Sequence, residues 1–283
     1  MLKIDGVQKK YDGFHLEVSF EMPEGRISGL IGRNGSGKST IFKSILNLIK
    51  IDAGKIIYRG KDISKITSEE KEDFGIALAD SVFSRHLTVK QIRRLCKGFY
   101  QNFDQELFDQ MLQKMQLPLN KKVKEFSTGM QAKLRLLVAI SHQPKFLLLD
   151  EPTAGLDVIA RQEILDFIRD YMIMNEEVSM IISSHIASDL EGLCDDLYFL
   201  QDGRIIFHEE TDALLSNYGI IKVTEEEWES LDKNFIQKYQ RESFGYKLLT
   251  NEKLYYMENY PKLVIEKAGI DELISMLDKG ENL

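Results

Sequence analysis

Residues 32–40 read "GRNGSGKST" and follow the apolar run "ISGLI" at 27–31. Gly32, four residues, then Gly37-Lys38-Ser39 fits G-x-x-x-x-G-K-[ST], the phosphate-binding loop. Gly32, Gly35 and Gly37 let the backbone curl, so that N–H groups from Arg33, Asn34, Gly35 and Ser36 onward turn inward at a phosphate. Lys38 would reach the β- and γ-phosphates, the Ser39 hydroxyl would take one position on Mg²⁺, and Thr40 closes the motif. The flanks suit this reading: "ISGLI" has the character of a short buried strand, and "KSTIFKSILNLI" (38–49) has the apolar spacing of a helix. The phosphates would then sit at the positive N-terminus of that helix. The stretch predicts a nucleoside triphosphate site.

Bulk composition narrows the surroundings. The 283 residues allow about two domains with an ample core. The 43% hydrophobic and 29% charged composition is that of an ordinary globular chain. A net charge of −8 argues against nucleic acid as a partner, because such binders carry a basic footprint. No apolar run approaches a membrane span, and "MLKIDGVQKKY" lacks the apolar core of a signal peptide. Cys96 and Cys194 are far apart and have no metal-ligand spacing, so a reduced, cytoplasmic protein is expected.

Residues 1–28 and 54–60 alternate like short strands with tight turns ("YDG", "PEG", "YRGKD"), as in an antiparallel sheet beside a core. From about 80 to 142 a helical subdomain is expected, with "TVKQIRRLCKGFY", "DQELFDQMLQKMQL" and "TGMQAKLRLLVAISH" as its helices and Pro118 as a break. Strand-like runs return at "FLLLD" (146–150), "VSMIISSH" (178–185), "LYFLQ" (197–201) and "RIIFHE" (204–209), with helices expected between the first three. That alternation predicts a mostly parallel α/β core over residues 1–210. Residues 211–283 read as a small α+β appendage, with a helix at "GIDELISMLDKG".

The second metal carboxylate decides which phosphate-loop machine this is. "FLLLDEP" (146–152) is an apolar strand delivering Asp150 and Glu151 at its C-terminal end, the edge where ligands sit in open α/β sheets. Asp150 suits Mg²⁺, and Glu151 is placed to polarise an attacking water.

From about residue 2 to 215 the chain resembles the ATP-binding subunits of ABC transporters. "EFSTGMQAKL" (125–134) is similar to the family's LSGGQ signature, with Ser127 and Gly129 in matching places. It departs at Phe126, Thr128 and Met130. "TAGLD" (153–157) resembles the D-loop and places Asp157 in it; "SSH" (183–185) makes His185 the switch histidine; Tyr11 in "KKYDG" resembles the aromatic that stacks on adenine. The resemblance implies ATP and Mg²⁺ as ligands, hydrolysis aided by Glu151 and His185, and a head-to-tail pair in which Ser127 and Gly129 of one subunit cover ATP on the other. It also implies a membrane-spanning permease as partner and a peripheral place on the inner face of the cell membrane. The second subunit would be an identical or a related chain.

One family residue is missing. The glutamine between the core and the helical subdomain falls on Ala79 in "GIALADSVFSRHLTV", and Asp80 beside it is the candidate substitute as a metal ligand. The texture of "LPLNKKVKEFSTGM" and the appendage resembles bacterial drug and peptide exporter ATPases of the phenol-soluble-modulin type. The alternative is a soluble or regulatory ABC-type ATPase uncoupled from transport. Translation-associated members carry two cassettes and chromosome-maintenance members a long coiled coil, neither of which occurs here. A GTPase would need N-K-x-D, and "NKKV" (120–123) ends in Val123. Lys90, Arg93, Arg94 and Lys97 share a helical face, read as solvated in preference to lipid- or partner-binding. The appendage offers either a pairing or a docking surface.

Overall fold

The computed structural model describes residues 1–79 and 83–281. Alternating burial along β1 (Leu2–Tyr11) and β2 (Phe14–Met22) makes a hairpin with one apolar face. Ile27–Ile31 (β3) is buried after its first residue and runs straight into the phosphate loop. Helix α1 spans Lys38–Ile45 and ends short of the expected residue 49, because Asn47 takes a left-handed conformation (φ 52°) and Leu48 turns out to solvent. β4 (Ala53–Tyr58) pairs with β1, and β5 (Lys61–Asp62) with β4, giving an antiparallel sheet of order β2-β1-β4-β5. Ile41, Phe42 and Ile45 of α1 are buried with residues of this sheet and with Phe146 and Leu148 of the central one. Burying side chains of this size stabilises by about 1.5–3 kcal/mol each and fixes the helix that carries Lys38 and Ser39.

A single turn, α2 (Ser68–Lys71), opens with a Thr67–Glu70 capping box. β6 (Phe74–Ala77) follows, an element the sequence reading missed because "FGIA" is too short to show a period. The expected helical stretch resolves into α3 (Val89–Phe99), α4 (Gln105–Lys114) and α5 (Thr128–Ile140). Thr88, Asp104 and Ser127 cap their N-termini. On the basic face of α3, Arg93 grips both oxygens of Asp109 at 2.5 and 2.7 Å, and Lys97 donates to Gln105 at 3.2 Å, tying α3 to α4. Lys90 and Arg94 face solvent.

β7 (Phe146–Asp150), α6 (Val158–Met174), β8 (Ser179–Ser184), β9 (Asp196–Gln201) and β10 (Arg204–Glu210) complete the central sheet, of order β10-β9-β3-β8-β7-β6. All neighbours are parallel except β10 against β9. The helix expected between β8 and β9 is absent; that link holds a 3₁₀ turn, Ala187–Asp189. Its buried residues Ala187, Leu190 and Leu193 recur every three positions, and Leu190 N–H bonds Ala187 O, the three-residue spacing of a 3₁₀ helix.

Beyond residue 210 come α7 (Thr211–Asn217), β11 (Gly219–Val223), α8 (Glu225–Ser230), β12 (Ile236–Glu242), β13 (Gly245–Thr250), α9 (Lys253–Asn259), β14 (Val264–Glu266) and α10 (Ile270–Lys279). The strands form an antiparallel sheet of order β12-β13-β11-β14, over a cluster that includes Ile221, Leu248 and Tyr256. Parts of the appendage also reach the main core: Leu214 of α7, Ile220 of β11 and Leu249 of β13 belong to it, as do Ile270, Leu273 and Met276 of α10, with Ile31, Leu197 and Phe199. No helix among the described residues is long and apolar enough to cross a membrane.

Candidate active site

Strand order assembles the site. β8 lies between β3 and β7 and runs parallel to both, so three C-terminal ends meet at one edge. They deliver the loop 32–37, the pair Asp150–Glu151, and His185. Ser183 is in register with Leu30 on one side and Asp150 on the other.

The loop backbone needs its glycines. Gly35 and Gly37 have φ of 84° and 114°, where a side chain strains the chain. A Cβ on Gly32 would stand 2.4 Å from Leu200 O, and one on Gly37 2.9 Å from both Leu16 and Phe14. The loop is braced by Ser36 N–H to Arg33 O (3.1 Å) and by Gly203 N–H to Ser36 O (3.0 Å). Arg33, Asn34 and Gly35 are exposed, while Ser36 is buried and its hydroxyl has no hydrogen-bond partner among the described residues.

Lys38 is buried, and its ammonium donates to Gly32 O at 2.6 Å and to Arg33 O at 3.3 Å. Glu151 Oε1 lies 3.1 Å from that nitrogen, but without hydrogen-bond alignment, and no other donor among the described residues reaches it. Glu151 Oε2 meets His185 Nδ1 at 2.6 Å. The Glu151 backbone sits at φ 49°, held by its N–H to the Ser183 hydroxyl at 2.9 Å. A non-glycine residue in that region is strained, as occurs at functional sites. Both Asp150 oxygens accept a hydrogen bond: Ser39 Oγ donates to Oδ2 at 2.8 Å and Ser183 Oγ to Oδ1 at 2.6 Å. Two hard oxygens, from Ser39 and Asp150, therefore converge at the start of α1. That small set fits Mg²⁺, which keeps waters and phosphate oxygens as its other ligands. Thr40, one residue on, turns its carbonyl to Ser44 Oγ inside the helix.

The remaining candidates stand apart. Tyr11 is half exposed at the end of β1, 6.4 Å from the Phe14 ring that packs beside Gly37. Ser127 caps α5 by accepting from Met130 N–H at 3.2 Å, and Asp157 caps α6 by accepting from Ala160 N–H at 2.8 Å. Both are exposed, and neither bonds the phosphate loop of its own chain. Gly129 lies beside α6, where a Cβ would come 3.3 Å from Ala160. Ala79 is exposed, and Asp80 lies outside the described residues.

Sequence reasoning missed three contributors. Ser183, the first serine of "SSH", was legible as a hydroxyl at a strand end. Asp189 is buried and accepts from Thr153 Oγ1 at 2.8 Å, with Arg161 at 3.6 Å, anchoring the turn after His185. The third is α10, whose Asp278 pairs with Arg33 and whose Asp271 accepts from the switch segment, contacts no local pattern announces. A surface cleft of about 680 Å³ between α4 and α6 contains none of these residues.

With this geometry in hand, the family model for ABC transporters matches residues 16–154. The ABC transporter ATP-binding protein YtrB of Bacillus subtilis (strain 168) is 30% identical over 220 residues, 77% of this chain and 75% of the relative. The lantibiotic transport ATP-binding protein SrtF of Streptococcus pyogenes is 32% identical over 217 residues, covering 75% and 92%. A solved ATP-binding subunit of an ABC transporter superposes with a TM-score of 0.67 at 26% identity, over 76% of this chain and 91% of that one. A dimeric ATP-binding cassette holding ADP and phosphate shares the fold, with a TM-score of 0.65 at 19% identity over 75% and 99%. The chain belongs to the ATP-binding proteins of ABC transporters. It is an ATPase subunit of that class, whose members close on one another around ATP and power transport through a membrane partner.

Proposed function

We propose that the chain binds Mg·ATP on residues 32–40, closes head to tail on a second ATP-binding subunit, and drives export of a peptide, drug or lipid-like solute through a separate permease. The observation carrying this reading is the meeting of Lys38, Glu151 and His185 beside the Ser39–Asp150 pair.

Lys38 opposes the β- and γ-phosphate charge from a buried position, where its field is little screened. The loop N–H groups and the unpartnered Ser36 hydroxyl supply further donors. Ser39 and Asp150 would hold Mg²⁺, which would supply positive charge against the phosphate oxygens. Glu151 orients and polarises the attacking water. His185 fixes the Glu151 carboxylate through Nδ1 and contacts the γ-phosphate. Tyr11 stacks on adenine at the open side of the loop.

A second subunit completes the site. Thr128 and Gly129 begin α5, where a helix leaves its first N–H groups without internal partners. These groups and the Ser127 hydroxyl fit the γ-phosphate held by the facing chain, with Asp157 lining the same seam. The partner cassette is an identical or a related chain. The permease carries the subunit on the cytoplasmic face of the membrane, and the lantibiotic-transport relative supports a peptide as cargo.

The test is to look for a multi-span membrane protein encoded beside this chain, purify the two together and measure ATP turnover in vesicles against candidate solutes. Stimulation by an amphipathic peptide is the expected result. Turnover that ignores both permease and solute would support an uncoupled ATPase instead.

A further inference from the structure

α10 ends the described appendage, yet it touches both sides of the γ-phosphate end of the site. Asp271 accepts two consecutive backbone N–H groups, Ala187 at 2.8 Å and Ser188 at 3.1 Å, immediately beyond His185 and Ile186. About two turns further along the same helix, Asp278 pairs with the Arg33 guanidinium through Oδ2, and its Oδ1 accepts from Gln201 Nε2 at 2.8 Å. Arg33 is the second residue of the phosphate loop. Between the two carboxylates, a cleft of about 190 Å³ is lined by Gly32, Arg33, His185, Asp271, Ser275 and Asp278. Ile270, Leu273 and Met276 on the opposite face are each 1% exposed in the main core, so the helix is seated and its acids have little freedom to wander.

We propose that Asp271 is a positioning residue for hydrolysis, holding His185 against Glu151, and that α10 thereby links the appendage to the catalytic cycle. The switch turn has two independent anchors. Asp189 ties its far side to Thr153 within the cassette, and Asp271 ties its near side to the appendage. A carboxylate accepting two adjacent N–H groups fixes the direction in which the preceding backbone leaves, and therefore where the imidazole two residues earlier points. Asp278 ties Arg33 to α10, so a displacement of α10 moves the phosphate loop and the switch together. Whatever binds or restrains the appendage then changes turnover without touching nucleotide.

This inference rests on His185 acting at the γ-phosphate, as proposed above. The experiment is a double-mutant cycle in the full chain, using Asp271→Ala, His185→Ala and the pair, with kcat and KM for ATP measured at saturating Mg²⁺. Asp271→Ala is expected to lower kcat about tenfold with KM unchanged within about twofold, and to add nothing in the His185→Ala background. Asp271→Asn, which keeps one acceptor oxygen on the switch, is expected to recover most of the loss. Asp271 is exposed, so the variants should fold, and the melting temperature of each checks this. Equal multiplicative losses in both backgrounds would overturn the route through His185. Normal kcat for Asp271→Ala alongside an impaired His185→Ala would sink this proposal and leave the assignment of His185 standing. Normal kcat for His185→Ala would remove both.

Discussion

Replacing Glu151 by Gln separates two jobs that the structure gives one carboxylate. In the arrangement seen here Glu151 Oε1 lies 3.1 Å from Lys38 Nζ, while Oε2 meets His185. The lysine is also held by Gly32 O at 2.6 Å, so it keeps a partner when Glu151 loses its charge. Gln preserves shape and tolerates the φ of 49° as poorly as Glu does, so backbone strain is unchanged. Loss of the base should lower turnover by about 10²–10⁴, the range for general acid–base groups. That corresponds to roughly 3–5 kcal/mol of barrier. Binding should move the other way. ATP must draw Lys38 from Glu151 and must tolerate a carboxylate beside the γ-phosphate. A charge-assisted contact is worth about 1.5–3 kcal/mol, and this one is misaligned, so the low end applies. Removing it should tighten ATP about tenfold. Turnover by phosphate release, affinity by calorimetry with Mg·ATP, and gel filtration for the closed dimer form the assay. Turnover within tenfold of the parent chain, or weaker ATP binding, would refute the reasoning.

Two further outcomes follow from the same geometry. Lys38→Ala removes the buried cation and leaves Glu151 facing the phosphates alone, so affinity and turnover should fall together, by about 30-fold or more in affinity. Near-normal hydrolysis by the purified variant would contradict the loop assignment. Asp80→Ala tests the substitute for the missing glutamine: if Asp80 serves the metal, the Mg²⁺ concentration for half-maximal hydrolysis rises about threefold or more. An unchanged Mg²⁺ curve rejects that role.

The nucleotide site was legible in the sequence wherever chemistry depends on neighbours along the chain. A phosphate loop works through consecutive backbone N–H groups and one lysine, so "GRNGSGKST" is sufficient to declare it. "FLLLDEP" declares its metal acid in the same way, because an apolar strand must end where its acids begin. The break at Pro118 divided the helical stretch for an equally local reason, and in the structure Thr88, Asp104 and Ser127 cap its helices. Where apolar spacing was the only guide, the reading overshot: the link after β8 holds a 3₁₀ turn at Ala187–Asp189 in place of a helix, and α1 stopped at Ile45. The four-residue β6 was too short to carry a signal at all.

Tertiary structure alone decided how these pieces meet. Nothing local to "SSH" says that its strand inserts between the one ending in the phosphate loop and the one ending in Asp150. That insertion brings His185 to Glu151 and sets the Ser183 hydroxyl to brace Asp150. The grip of Asp271 and Asp278 spans 84 and 245 residues of chain, and it exists because the apolar face of α10 is buried in the core beneath the site. Short-range chemistry leaves a pattern in the residues that perform it. A contact made by burying a distant helix leaves only ordinary amphipathic spacing, and its meaning appears once the core has formed.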